Sequence, residues 1–286
     1  MTKNKVQFYY FIIIYFAAFV VATVISMVIS STVDNSTNTY VFLLYFVPQV
    51  CYIGAIAIVY SIKKFEFKLY TTEKIEIKNY LFTIIIALGL FLTAVLPNYG
   101  IQLLFDKIGT KASVTIPEFV NFWDYFLGVL LICILAPIGE ELVFRKVFCD
   151  SLEGIDQWKI ILLSGAFFSL THYNLAQTFH QFFTGCILAY VYLKTRNVTI
   201  PIIAHVVNNI LALFITRITG EGIWNNIITL IISFGIGIIL LVIGFILLSK
   251  KNPKLIKIEE KQNINMTLIF LGIIFVLWLI TAITSF

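Results

Sequence analysis

The sequence places a cluster of charged side chains inside an apolar stretch, where charge is costly. Glu140 and Glu141 are adjacent, and Arg145 follows four residues after Glu141. Ionisable residues within apolar spans are functional-site candidates by default. Adjacent residues point about 100° apart around a helix, whereas residues four apart share a face. We therefore expect Glu141 and Arg145 to form a structural ion pair, which leaves Glu140 to accept a proton. The alternative is a charged helix end lying in the headgroup layer.

Two histidines and one asparagine follow further along the chain. His172 lies four residues after Phe168, and His205 lies four residues before Asn209. Because His205 and Asn209 share a helix face, both can point into a helical bundle at one depth. A histidine without such a partner is instead often a hydrogen-bonded interfacial residue. That alternative stays open for His172, and it is the role that we assign to His180.

One carboxylate, two imidazoles and one amide are sufficient for hydrolysis. Glu140 would take a proton from water, the imidazoles would position the water or carry the proton, and an asparagine amide is a typical oxyanion donor. The same residues also fit a second mechanism, since two histidines and one glutamate are the ligand count of a catalytic zinc site with one position open. In that case Glu140, His172 and His205 would hold Zn²⁺. The residues alone do not decide between these mechanisms.

Two other classes of protein fit the same residues. A proton-coupled transporter could use Glu140, His172 and His205 as a proton relay, although the sequence lacks the paired halves with broken helices that indicate inverted repeats. A catalytically inactive membrane scaffold or immunity protein could keep the fold alone. Substitution of Glu140 would separate the three classes, because only an enzyme would lose peptide cleavage and only a carrier would lose substrate flux.

The composition requires that membrane helices carry these side chains. The chain has 286 residues, of which 60% are apolar and 12% are charged, and its mean hydropathy is +0.96. Soluble domains are about 25% charged, so a soluble fold could not cover its surface with the charged residues available here. The four cysteines are scattered without C-x-x-C spacing and are expected to pack as small apolar residues. Disordered, coiled-coil and disulfide-stapled secreted classes are excluded.

The hydropathy pattern predicts an all-α polytopic transmembrane bundle of about nine helices, since about 20 apolar residues cross a bilayer. The predicted spans are 8–30, 39–62, 79–96, 122–150, 157–174, 177–195, 198–216, 223–249 and 266–285. With the N-terminus in the cytoplasm, 17 of the 20 lysines and arginines fall on the cytoplasmic side, and only Lys107, Lys111 and Arg217 fall outside. This asymmetry follows the positive-inside rule. We expect a multi-pass protein of the cell membrane with a cytoplasmic N-terminus.

The three groups of polar residues resemble the motifs of a known family. In this order, on consecutive predicted helices, they are Glu140-Glu141-x-x-x-Arg145, Phe168-x-x-x-His172 and His205-x-x-x-Asn209. This pattern resembles the CAAX protease and bacteriocin-processing family of intramembrane proteases, which is also called the Abi or CPBP family. The resemblance covers residues 122–214, and nothing outside that core is specific.

The resemblance implies an endopeptidase that cuts a peptide bond at or within the membrane. By position, Glu140 would activate water, His172 and His205 would complete the site, and Asn209 would support the oxyanion. Eukaryotic members of this family trim prenylated proteins, and bacterial members are tied to bacteriocin maturation, self-immunity and pheromone handling. Members have been described both as metalloproteases and as glutamate-dependent proteases. One departure is Lys146, because relatives commonly carry glycine there.

These expectations combine into one prediction for the chain. Residues 1–286 would form a single integral membrane domain with its catalytic core in residues 122–214. The partners would be the lipid bilayer and a membrane-anchored peptide or protein substrate, since only such a substrate reaches a buried site easily. We expect no nucleic-acid partner, because the basic residues lie in short loops between spans. Zn²⁺ is the one candidate cofactor, and it is required only by the metal-dependent mechanism.

Overall fold

The described part of the chain is helical and contains no strand. The computed structural model describes residues 7–65, 76–107, 117–219, 224, 226–252, 255 and 264–284. In these ranges nine long helices follow one another: α1 Phe8–Thr32, α2 Asn38–Lys63, α3 Ile77–Lys107, α4 Phe122–Cys149, α5 Gln157–Leu170, α6 Leu175–Thr195, α7 Thr199–Thr219, α8 Ile227–Lys251 and α9 Asn265–Thr284. The predicted all-α fold class is therefore confirmed.

Five of these helices are long and apolar enough to cross a membrane, namely α1, α2, α3, α4 and α8. Helix α3 is longer than the predicted span 79–96, since it continues through Pro97 to Lys107. A proline removes one backbone hydrogen bond but does not stop a helix that is otherwise supported. The predicted orientation stays a prediction, and several lysines on which it depends, such as Lys3, Lys5 and Lys111, lie outside the described residues.

Hydrogen bonds from capping side chains define the starts of several helices. The side chain of Asn121 accepts hydrogen bonds from the backbone of Trp123 and Asp124, and Asp124 bonds back to the backbone of Asn121. This reciprocal pattern satisfies backbone donors that a helix start otherwise leaves unpaired. At the opposite end of a helix, Lys64 and Arg196 adopt the left-handed conformation that terminates α2 and α6.

The helices divide into two compact units, of which the first contains α1, α2 and α4. Phe11 on α1 is fully buried and packs its ring 4.9 Å from Phe148 and 6.3 Å from Phe144 on α4. Such tilted aromatic contacts add to the stabilisation from buried area. They hold α1 against the part of α4 that follows the glutamate pair. The predicted single domain of residues 1–286 stays a prediction.

The second unit contains α3 and α5 to α9, and its tightest packing joins α3 to α8. A Cβ atom on Gly89 would lie 2.9 Å from the carbonyl oxygen of Gly237, and one on Gly237 would lie 2.9 Å from that of Gly89. The two backbones therefore touch where neither residue has a side chain, as is common between membrane helices. At one end of the same pair, the amides of Asn79 and Asn252 exchange hydrogen bonds of 3.2 and 3.0 Å.

Candidate functional site

The glutamate pair lies in an irregular part of α4. A single α-helical turn, Ala136–Glu141, separates two π-helical stretches, Gly128–Leu135 and Leu142–Cys149. Pro137 begins this turn, and a proline that lacks the backbone N–H fits best at the start of a helical segment. π-helical turns are rare in proteins and are often found at functional sites. The π-helical stretch Leu142–Cys149 changes the direction of the side chains that follow the glutamate pair.

Glu141 and Arg145 form an ion pair that is wholly buried. The Nε atom of Arg145 lies 2.9 Å from Oε2 of Glu141, and both side chains are 0% exposed. This is the pairing that the four-residue spacing predicts. Isolated buried charges are very costly, so each partner stabilises the other in this position. Glu140 is less buried than Glu141, and adjacent residues on a helix lie about 100° apart around its axis. The structural role of the pair and the catalytic role of Glu140 stay predictions.

His172 lies two residues after the end of α5 and has a defined tautomer. Its Nδ1 atom lies 2.6 Å from the backbone carbonyl oxygen of Phe168, which also accepts a hydrogen bond of 3.1 Å from Thr171. A carbonyl oxygen can only accept, so Nδ1 carries the proton. In the neutral ring Nε2 then keeps its lone pair, which can accept a proton or bind a metal ion. The contact with the Phe168 carbonyl thus fixes the tautomer of His172, the histidine that follows this helix.

The ring of Phe168 contacts both histidines of the predicted site. Its centroid lies 4.8 Å from that of His172 and 5.8 Å from that of His205, both in edge-to-face arrangements. Phe168 is 0% exposed, and His205 on α7 is 4% exposed. Asn209 lies one turn after His205 on the same helix and is half-buried. The second unit therefore brings His172 and His205 together around one fixed aromatic ring.

A close helix crossing fixes the position of that ring. A Cβ atom on Gly185 of α6 would lie 2.8 Å from Cα of Gly165 on α5 and 3.0 Å from Cβ of Phe168. Only glycine allows α5 and α6 to approach at this point without displacing the Phe168 side chain. Gly185 thus leaves room for the Phe168 ring, which in turn contacts both histidines.

Two polar residues, one beside predicted site residues in each compact unit, are not among the residues predicted from the sequence. The first is His180, which the sequence predicts to be interfacial without a partner at helical spacing. Its Nε2 atom lies 3.4 Å from Oγ1 of the buried Thr184, and the ring interacts electrostatically with His172 and His205. Thr184 follows His180 by four residues, which was the available signal. The second is Gln49 on α2, a polar residue in an apolar span. It is uncharged, so the rule that marks ionisable residues in membrane spans as candidates does not apply to it.

The described residues do not form a cluster of potential metal ligands. Among the described residues, no group of three or more histidine, cysteine, aspartate or glutamate side chains is placed so as to hold a metal ion. The predicted zinc ligand set of Glu140, His172 and His205 stays a prediction. Lys146, the departure noted above, is nearly buried and pairs with Asp150 at 2.7 Å, so it closes an ion pair one turn further along α4.

Comparisons with known proteins give matches to the same part of the chain. Residues 122–211 match the family described as Rce1-like, type II CAAX prenyl endopeptidase. The chain is also 30% identical over 84 residues to the Bacillus subtilis (strain 168) protein named "Putative membrane peptidase YdiL", in an alignment that covers 29% of this chain and 34% of that protein. The match thus spans about a third of the relative's length. No solved structure gives a significant match. The predicted resemblance is confirmed for this segment.

Proposed function

We propose, from the Rce1-like match of residues 122–211, that this multi-pass membrane protein is a CAAX-protease-like endopeptidase acting on membrane-associated peptides. The family match supports a membrane endopeptidase in general terms. The observation that carries the proposal is the contact of His172 and His205 with one buried ring, Phe168, inside the matched segment. Two imidazoles held in this way are suited to position one water molecule and to move one proton.

In the proposed reaction Glu140 takes a proton from water, and the oxygen of the resulting hydroxide bonds to the scissile carbonyl carbon. The negative charge moves to the carbonyl oxygen, where the amide of Asn209 donates a hydrogen bond. The C–N bond then breaks, the proton is passed to the leaving nitrogen, and a carboxyl group and an amine are released. His172 takes part through Nε2, because its Nδ1 is engaged by the Phe168 carbonyl. Glu141 and Arg145 neutralise each other and hold the helix.

The test uses the full-length protein in proteoliposomes. The probes are a farnesylated peptide that ends in Cys-aliphatic-aliphatic-X and the same peptide with a plain alkyl chain in place of the farnesyl group. Glu140→Gln is expected to reduce cleavage by at least about 10²-fold, the usual contribution of a general base. The matched control is Glu153→Gln, which removes an exposed glutamate outside the three motifs and should leave the rate unchanged.

The same assay distinguishes the alternatives. Equal rates for wild type and Glu140→Gln would contradict the role of Glu140, and no cleavage of either peptide by wild type would contradict the endopeptidase proposal for these substrates. Loss of activity with a chelator and its rescue by Zn²⁺ would favour the metal-dependent mechanism, with Glu140, His172 and His205 as ligands. The comparison of the two peptides shows whether the prenyl group is recognised.

A further inference from the structure

Helix α2 carries two polar side chains one turn apart beside the turn of α4 that contains Glu140. Tyr45 and Gln49 are four residues apart and therefore share a face of α2. Helix α2 packs against the turn Ala136–Glu141, and Tyr45 interacts electrostatically with Glu140. Both residues belong to the same compact unit as α4. The face of α2 that meets the glutamate pair is thus polar, in a helix that is otherwise mostly apolar.

Gln49 lies directly on Gly139, the residue before Glu140. A Cβ atom on Gly139 would contact Oε1 of Gln49 and would lie 3.3 Å from its Cβ and 3.4 Å from its Cα. Any larger residue at position 139 would therefore push the Gln49 amide aside. The Gln49 amide occupies the space that a side chain at position 139 would otherwise fill.

The amide of Gln49 is buried with an unmet hydrogen-bonding capacity. The side chain is 6% exposed, and Oε1 has no hydrogen-bond partner in the part of the chain that the structure describes. Buried acceptors are nearly always satisfied, and an unsatisfied one destabilises the fold. A methionine or leucine would fill the same space without that penalty. An unmet acceptor beside a proposed catalytic glutamate indicates a donor that arrives with a ligand.

The chemistry of a side-chain amide identifies the donor group that fits it. A glutamine amide presents one acceptor and a donor pair, which match the N–H and C=O of a peptide group. This unit already contains such a pairing, because Asn38 on α2 accepts a hydrogen bond of 2.8 Å from the N–H of Glu118 and donates one of 2.5 Å to its carbonyl oxygen. A peptide that enters a site at membrane depth loses its water and needs such partners.

We propose that Gln49 binds the substrate backbone beside the scissile bond, with Oε1 accepting a peptide N–H. This inference rests on the function proposed above and adds to it a substrate-binding residue on α2. Gly139 leaves space for the amide, and Tyr45, on the same face of α2 as Gln49, interacts electrostatically with Glu140. Gln49 takes no part in bond breaking, so its loss weakens substrate binding more than it slows the chemical step.

The experiment measures binding by full-length protein in nanodiscs that carries Glu140→Gln, so that bound peptide is not cleaved. The first probe is the farnesylated peptide described above, and the second is the same peptide with esters in place of the backbone amides next to the scissile bond, which removes the N–H donors. Gln49→Met is expected to weaken binding of the amide peptide about tenfold, as for loss of one buried hydrogen bond. The same substitution should leave binding of the ester peptide unchanged.

Two controls separate substrate binding from a structural role. Gln102→Met removes an exposed glutamine on α3 and should change neither probe's affinity. The thermal unfolding midpoint of Gln49→Met should stay equal to that of its parent or rise, since an unmet buried acceptor has been replaced by an apolar side chain. With catalytically active protein, the KM of Gln49→Met should rise while kcat changes little.

Gly139→Ala gives an independent route to the same result. It should weaken binding of the amide peptide as Gln49→Met does, and the double variant should bind no more weakly than Gln49→Met alone. Equal affinity of Gln49→Met and its parent for the amide peptide would overturn the inference but leave the proposed function intact. An equal loss with the ester peptide would also overturn it. Absence of binding by the parent, together with no cleavage by wild type, would overturn both proposals.

Discussion

Two properties of the candidate site are set by contacts between residues four positions apart, namely the Glu141–Arg145 ion pair and the tautomer of His172. The side chains of Glu141 and Arg145 are both 0% exposed. Neither charge is therefore stabilised by water, and each depends on the other for its stabilisation. The tautomer of His172 depends on one backbone carbonyl, that of Phe168. The spacing of four residues predicted the first contact. It could not predict the second, because a histidine one turn from a carbonyl can equally point away from it.

Breaking the buried ion pair is expected to destabilise the fold strongly. Glu141→Gln or Arg145→Met alone should lower the free energy of unfolding by about 3–5 kcal/mol, because each leaves a buried charge without a partner. The double variant Glu141→Gln with Arg145→Met should be less destabilised than the sum of the two single variants. Reversible unfolding of the purified protein in mixed micelles measures these differences. Additive effects would show that the two side chains do not stabilise each other.

Contacts between helices depend on glycines whose role is invisible in the sequence. Gly89 and Gly237 bring α3 and α8 together, and Gly165 and Gly185 do the same for α5 and α6. The hydropathy pattern predicted where these helices lie in the chain but gave no sign of which glycines touch. The sequence predicted one continuous span over 122–150 but gave no sign of the two π-helical stretches that α4 contains.

The seam between α3 and α8 is expected to tolerate no side chain at Gly237. A Cβ atom there would lie 2.8 Å from the backbone nitrogen of Thr93 and 2.9 Å from the carbonyl oxygen of Gly89. Gly237→Ala should therefore lower the free energy of unfolding by about 1–3 kcal/mol, as overpacking does. Gly235→Ala on the same helix has nothing within 4 Å of the new atom and should be neutral or stabilising by up to about 1 kcal/mol. Similar unfolding of the two variants would contradict this assignment.

The crossing of α5 and α6 is expected to affect catalysis as well as stability. Gly185→Ala should displace Phe168 and with it the rings of His172 and His205. A displacement of about 1 Å can cost on the order of 10² in rate, so peptide cleavage should fall by about that factor. The control is Gly272→Ala on α9, where the added atom meets nothing within 4 Å. Full activity of a stably folded Gly185→Ala protein would show that Phe168 does not position the histidines.

Composition and charge distribution describe the protein as a membrane protein independently of any motif. Five described helices are long and apolar enough to cross a bilayer, and the exposed residues of α8 include large apolar side chains such as Ile231, Ile232 and Ile239. Exposed apolar surface of this extent requires a covering, and lipid would provide it. These features, with the family match, support a multi-pass membrane protein. The prediction of its orientation in the membrane rests only on the distribution of lysine and arginine.

The predicted orientation can be tested by labelling single cysteines in intact cells. In a variant without the four native cysteines, Ser36→Cys lies between the first two helices and should react with a membrane-impermeant maleimide. Thr72→Cys lies between the second and third and should react only after the cells are permeabilised. The physical reason is the excess of lysine and arginine in the segments placed in the cytoplasm. The reverse pattern would place the N-terminus outside.

The sequence by itself determined the class of the protein, the approximate helices and the three motifs, because burial in lipid restricts composition and because residues four apart share a helix face. It predicted the pairing of Glu141 with Arg145 for the same reason. Tertiary structure alone showed that Phe168 contacts both His172 and His205 and that Gln49 rests on Gly139. These contacts join residues far apart in the chain, and they depend on backbone approach and side-chain direction, which no local pattern encodes.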